Sequence, residues 1–218
     1  MNEITHHPTD ALLMAYSAGT LPEGFSLVMA THISMCDESR ARLAEFDAVG
    51  GAVVDQQAPV NLSENSLAAT LELIAKDDTD AAEPISAPKT FKGVFPGPLQ
   101  DYVGGDLEAV KWRKVGGGVR QAILKMDKDA TVRLLHIPAG KAVPDHGHHG
   151  TELTLVLKGA FRDEADRFGP GDLEVATEDL DHQPVAEEGE DCICLAATDA
   201  PLRFNGWIPR IAQQFMRI

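Results

Sequence analysis

Three residues in the C-terminal half have the types and spacing of metal ligands. In Asp145-His146-Gly147-His148-His149-Gly150-Thr151-Glu152, two imidazoles stand two residues apart and a carboxylate follows four residues later. On an extended chain, side chains two apart point to the same side, so His146 and His148 converge, and Glu152 enters where the next strand is expected to begin. Neutral imidazoles with one carboxylate suit zinc, iron, nickel or manganese. The fourth ligand must come from elsewhere, and His182 qualifies, ten residues after the Gly171-Asp172 turn. His149 is out of phase with the pair and is expected on the surface.

The N-terminal half carries a second group. His32 and Cys36 are four apart, Cys36 and Ser39 three apart, and His6 and His7 precede the first helix. Residues three and four apart share one face of a helix, so this group is placed together only if the segment around it is helical. Packing alone also explains an isolated His and Cys at that spacing.

The elements needed to position these residues divide the chain in two. Residues 1–75 read as helices. Asp10 to Ala18 ends at Gly19, Pro22 opens a second run through His32, a third is expected from Ser39 to Val49 with a stop at Gly50-Gly51, and Ser63 caps a fourth carrying Leu67, Leu71 and Ile74 on one face. Residues 76–98 are acidic and Pro-rich, with Pro84, Pro88, Pro96 and Pro98, and read as an exposed linker between independently folding cores. From Leu99 to residue 218 the pattern becomes short strands separated by turns: Val110–Val115, Val119–Leu124, Thr131–Ile137, Leu153–Leu157 and Ala160–Ala165, which points to an all-β barrel or sandwich. The expected fold class is therefore α+β in two domains: a small N-terminal helical bundle over 1–75, the linker over 76–98, and an all-β domain over 99–218.

Bulk composition removes some functions. Nineteen basic residues face 34 acidic ones, a net charge of -15, which argues against direct nucleic-acid binding, where clustered Lys and Arg are needed. Residues 1–75 hold ten acidic and two basic side chains, 2 − 10 = −8, so the helical part suits a basic partner. No apolar run approaches the roughly 20 residues of a membrane helix, and no targeting segment is recognised, so the chain is expected to be cytoplasmic. Three cysteines, Cys36, Cys192 and Cys194, make no disulfide framework. Cys192 and Cys194 are expected as buried core thiols, since a bridge between residues two apart on a strand would be strained.

Two known patterns match these residues. Gly140, His146, His148, Glu152 and Gly159 in one run, followed by Pro170-Gly171-Asp172 and His182 in another, resemble the two motifs of the cupins, which implies a jelly-roll barrel with His146, His148, Glu152 and His182 around a metal. His32 and Cys36 resemble the zinc-binding motif of anti-sigma domains, in which an N-terminal His and a second Cys complete the ligands. The second Cys is replaced here by Ser39. The resemblance implies His7 (or His6), His32 and Cys36 as a zinc site of weak or partial occupancy, since a Ser hydroxyl is a poor zinc ligand beside a thiolate.

The order of parts is similar to that of ChrR-like anti-sigma factors over nearly the whole chain, with Leu99-Gln-Asp-Tyr-Val-Gly104 and Asp191-Cys-Ile-Cys194 as further points of likeness. That family implies a negative regulator that clasps an extracytoplasmic-function sigma factor through its helices and releases it under oxidative stress, singlet oxygen in particular, with the cupin as sensor and zinc or another divalent metal in it. Leu12, Leu13, Phe25, Leu67 and Leu71, on apolar helix faces, are expected as partner contacts as well as core, two roles the sequence does not separate. The competing expectation is a metal-dependent cupin enzyme of oxygenase or hydrolytic type, though the sequence places no acid, base or oxyanion donor in the pocket.

Overall fold

The computed structural model describes residues 3–76, 92–124, 130–147 and 149–200, with the backbone of residues 203–204. His148 and the central part of the linker, residues 77–91, lie outside the described residues.

Helix α1 (Asp10–Ser17) starts at Thr9, whose Oγ accepts the Leu12 N–H. Helix α2 (Glu23–Met35) follows Pro22. Cys36 then breaks the chain into extended geometry and caps α3 (Asp37–Asp55) by accepting the Ser39 N–H on its Sγ. The third helix therefore starts earlier than expected and runs through Gly50-Gly51. Each helical glycine costs about 1 kcal/mol, too little to end a run flanked by Ala and Val on both sides. Helix α4 (Ser66–Lys76) begins three residues after Ser63 and buries none of its side chains.

Helix α5 (Gly97–Val103) was read as linker and strand. Pro98 sits in its first turn, where a missing N–H removes no intrahelical bond, and Gly104 ends it in the left-handed region at φ 82°. Just before it, Phe95 is buried among the core residues, and Asp106 ties this stretch down by accepting the Val94 and Phe95 N–H groups.

The strands that follow are β1 (Arg113–Gly116), β2 (Val119–Leu124), β3 (Thr131–Ile137), β4 (His146–Gly147), β5 (Glu152–Lys158), β6 (Phe161–Arg162), β7 (Arg167–Phe168), β8 (Leu173–Ala176), β9 (Asp181–His182), β10 (Val185–Ala186), β11 (Cys192–Thr198) and β12 (Arg203–Phe204). They form a six-stranded antiparallel sheet in the order β1-β2-β3-β11-β5-β8, and two three-stranded sheets, β10-β6-β7 and β12-β4-β9. Insertion of β11 between β3 and β5 gives the crossed connections of a jelly roll.

Alternation on β5 and β11 explains the packing. Leu153, Leu155 and Leu157, with Ile193, Leu195 and Ala197, face the helices and share one core with Leu13, Phe25, Val28, Met29, Ile33, Phe95 and Leu99. Val156, Cys192 and Cys194 face the other way, into a second core with Phe161, Phe168 and Ala186. One core is therefore shared between helices and sheet: α2 lies on β5 and β11, with α5 packed beside it. Both cysteines are buried, with their sulfurs 3.5 Å apart and unbridged.

Candidate functional site

Two clusters of potential ligands stand on this frame. The first is inside the cupin half. Antiparallel pairing of β4 with β9 puts His146 directly opposite His182, with ring centroids 4.7 Å apart. Both are buried. The Nδ1–H of His146 donates to the Pro144 carbonyl (2.9 Å), which leaves Nε2 as the coordinating nitrogen. Glu152 opens β5 on the barrel-facing side. It is buried, and its Oε1 accepts from the Thr154 hydroxyl two residues on. Its charge acts on both His146 and His182. Burial lowers the His146 imidazole, favouring the neutral form a metal ligand needs.

His182 has two partners that its sequence neighbourhood does not disclose. Its Nδ1 lies 3.1 Å from Asp163 Oδ2 and 3.0 Å from Glu174 Oε1, and all three side chains are almost wholly shielded. The ligand-capable atoms of these three fall within 4.8 Å of one another. A buried carboxylate on the Nδ1–H of a histidine fixes the tautomer and directs Nε2 toward a metal. Burial raises the Glu174 carboxyl to about 7. Burial would lower His182, but the hydrogen bonds to Glu174 and Asp163 outweigh it and raise the ring to about 9. The position of His148 lies outside the described residues, and His149 is exposed.

The second cluster joins the segment before α1 to the α2–α3 junction. His7 Nδ1 is 3.5 Å from both Cys36 Sγ and Ser39 Oγ. His32, buried in the last turn of α2, accepts the Ser39 hydroxyl on Nε2 (2.8 Å) and donates its Nδ1–H to the Gly171 carbonyl (2.9 Å). Burial pushes the His32 imidazole down to about 4, so it is neutral at physiological pH. Zinc holds nitrogen and sulfur ligands at about 2.0–2.3 Å in a tetrahedron, which places ligand atoms about 3.3–3.8 Å apart. The spacings around His7 match, and the ligand atoms of His7, His32 and Cys36 lie within 4.8 Å of one another. These residues fit a metal, with the Ser39 hydroxyl at the fourth corner. His6 turns away: its ring packs on Phe168 and its Nε2 lies 3.2 Å from Asp166. Of the two adjacent histidines only His7 joins the cluster.

A thiolate at that fourth corner should bind metal more strongly than a hydroxyl. Ser39→Cys is therefore expected to raise the zinc retained after dialysis, read by metal analysis against total protein. Unchanged content would show that residue 39 does not face the metal.

The expected partner contacts separate by burial. Leu13 and Phe25 are buried in the core, and Leu12 packs at its edge, partly exposed. Leu67 and Leu71 are 72% and 55% exposed on α4, and Leu73 and Ile74 are exposed with them. Val49, Val53, Val54, Val60 and Leu62 extend the apolar surface along the end of α3 and the connection to α4. Among the described residues, no helix is long and apolar enough to cross a membrane.

Residues 100–201 match the family profile of the ChrR cupin-like domain. Over 215 residues, 99% of each chain, the protein is 60% identical to the anti-sigma-E factor ChrR of Cereibacter sphaeroides. It also matches a solved structure, Rhodobacter sphaeroides SigE in complex with the anti-sigma ChrR, at 59% identity and a TM-score of 0.79, covering 90% of this chain and 100% of that one. An RmlC-like cupin from Ralstonia eutropha matches at 24% identity and a TM-score of 0.42, over 47% of this chain and 71% of its own.

Proposed function

This chain belongs to the family of ChrR anti-sigma factors, and from that premise we propose that it sequesters an extracytoplasmic-function sigma factor and frees it under oxidative stress. It is a regulator rather than an enzyme. The observation that carries the proposal is α4: a helix whose leucines and isoleucine are exposed and which buries none of its side chains among the described residues. A folded protein leaves such a stripe open for a partner. The surplus of ten acidic over two basic residues in 1–75 would complement the basic surface a sigma factor uses on promoter DNA.

Residues 1–75 would supply the clasp and residues 99–218 the sensor. Zinc would be held by His7, His32 and Cys36, and zinc or another divalent metal by His146, His148, Glu152 and His182. The cupin metal would offer open coordination positions for an oxidant. Asp163 and Glu174 would hold His182 in the tautomer that faces it.

The test uses the full chain and a purified sigma factor of this class. The expected result is a stable complex on size exclusion, stoichiometric loss of promoter-specific transcription, and recovery of transcription when a photosensitiser generates singlet oxygen. Absence of a complex would overturn the regulator; a complex indifferent to singlet oxygen would overturn the signal alone.

A further inference from the structure

The turn from Gly169 to Leu173, between β7 and β8, lies directly against the helical metal cluster. Asp172 in that turn is buried and bonds in two directions. Its Oδ2 accepts the Gly169 N–H at 2.8 Å, closing the turn on itself. Its Oδ1 accepts the backbone N–H groups of Thr5 (2.7 Å) and His6 (2.9 Å), with the Thr5 hydroxyl at 3.4 Å. The next residue completes the clamp, because the Leu173 N–H donates to the His6 carbonyl at 3.1 Å. Residues 5–6 are thus pinned by main-chain bonds immediately before His7.

The residue on the other side of Asp172 holds the second histidine. The Gly171 carbonyl accepts the His32 Nδ1–H at 2.9 Å. Gly171 has φ +93°, and a Cβ there would come within 2.4 Å of Ile4 Cδ1, so the N-terminal strap lies on the turn itself. Three consecutive residues, 171 to 173, therefore hold His32 directly and the backbone of residues 5–6 that leads into His7.

We propose that Asp172 and the Gly171 carbonyl are positioning groups for the helical metal site, so that its affinity is a property of the full chain and is set by the cupin half. The inference rests on the reading of His7, His32 and Cys36 as metal ligands. Its physical basis is general: a ligand imidazole whose other nitrogen is hydrogen-bonded, on a backbone already ordered, binds without having to be oriented. The turn continues into β8, where Glu174 holds His182, so residues 171–174 tie the histidines of one metal cluster to a histidine of the other.

The experiment compares the full chain with Asp172→Ala, Asp172→Asn and Thr5→Pro. Cobalt(II) is the probe, since its thiolate charge-transfer band reports coordination by Cys36. Asp172→Ala is expected to weaken cobalt binding at that site about 10–100-fold, the usual cost of losing an outer-shell partner. Asp172→Asn keeps an acceptor for Thr5 and His6 and should lose less. Thr5→Pro removes one N–H donor and the hydroxyl from an exposed strap, leaves the turn intact, and should weaken binding even if Asp172→Ala fails to fold. A readout without metal accompanies these: the His6 amide should exchange with solvent faster in each variant. Folded variants with unchanged cobalt affinity would overturn the inference. If the parent chain gives no thiolate band, the metal reading fails, and unchanged His6 exchange in the metal-free variants then overturns the positioning role as well.

Discussion

Changing Leu67 and Leu71 together to Asp is expected to weaken sigma-factor binding by at least about 100-fold while leaving the chain's own thermal unfolding unchanged. Both side chains are more than half exposed, and α4 buries no residue in the free protein. Their replacement therefore removes no core packing. In a complex, burial of a leucine contributes about 1.5–3 kcal/mol, and 1.4 kcal/mol corresponds to tenfold in affinity. Two leucines at the lower bound already account for about 100-fold, before the cost of burying two carboxylates. The contrast is Leu13→Ala or Phe25→Ala, at core positions of the same half, where about 2–5 kcal/mol of stability is lost. Titration of labelled sigma factor, alongside thermal unfolding of each variant, separates the two classes. Unimpaired binding by the Asp pair would remove α4 from the interface.

Changing His146 and His148 together to Ala is expected to abolish metal at the cupin site and preserve the β fold. The choice of positions matters. Removing His182 instead would leave Asp163 and Glu174 side by side in a buried place without the imidazole that both of them bond. The Nδ1–H of His146 donates to the Pro144 carbonyl, and Leu134, Leu155 and Leu195 of the main core are untouched. The expected result is loss of the cupin metal by elemental analysis, with far-ultraviolet circular dichroism retained. Full metal content in the double variant would mean that the metal is held elsewhere, and the Asp163, Glu174 and His182 group would then be the place to look.

The sequence by itself carries a good part of this protein. Glu152 opens a strand as expected, and β2 and β3 keep the limits expected from the sequence. His32, Cys36 and Ser39 do meet at one corner, across the break between α2 and α3 rather than along one helix face. These are local properties, set by backbone geometry over a few residues. Contacts between distant segments are not encoded that way. Asp163 and Glu174 are 19 and 8 residues from His182, and only the folding of β8 and β9 brings them onto its ring. A charged residue inside Leu173-Glu174-Val175-Ala176 was the available signal.

The choice between His6 and His7 was decided by Asp172 and Phe168, more than 160 residues away, which seat His6 on the cupin and leave His7 facing Cys36. The shared core had a signal too. The apolar runs Leu153–Leu157 and Cys192–Ala197 are continuous apart from Thr154, as in strands covered on both faces, yet nothing in them says that α2 and α5 form the outer cover. Leu13 and Leu67 show the same limit from the other direction: both lie on apolar helix faces, one buried and one bare. Periodicity defines a face that must be covered, but the chain's tertiary structure decides which faces it covers itself and which it leaves for a partner, because burial depends on surfaces brought together from far along the chain.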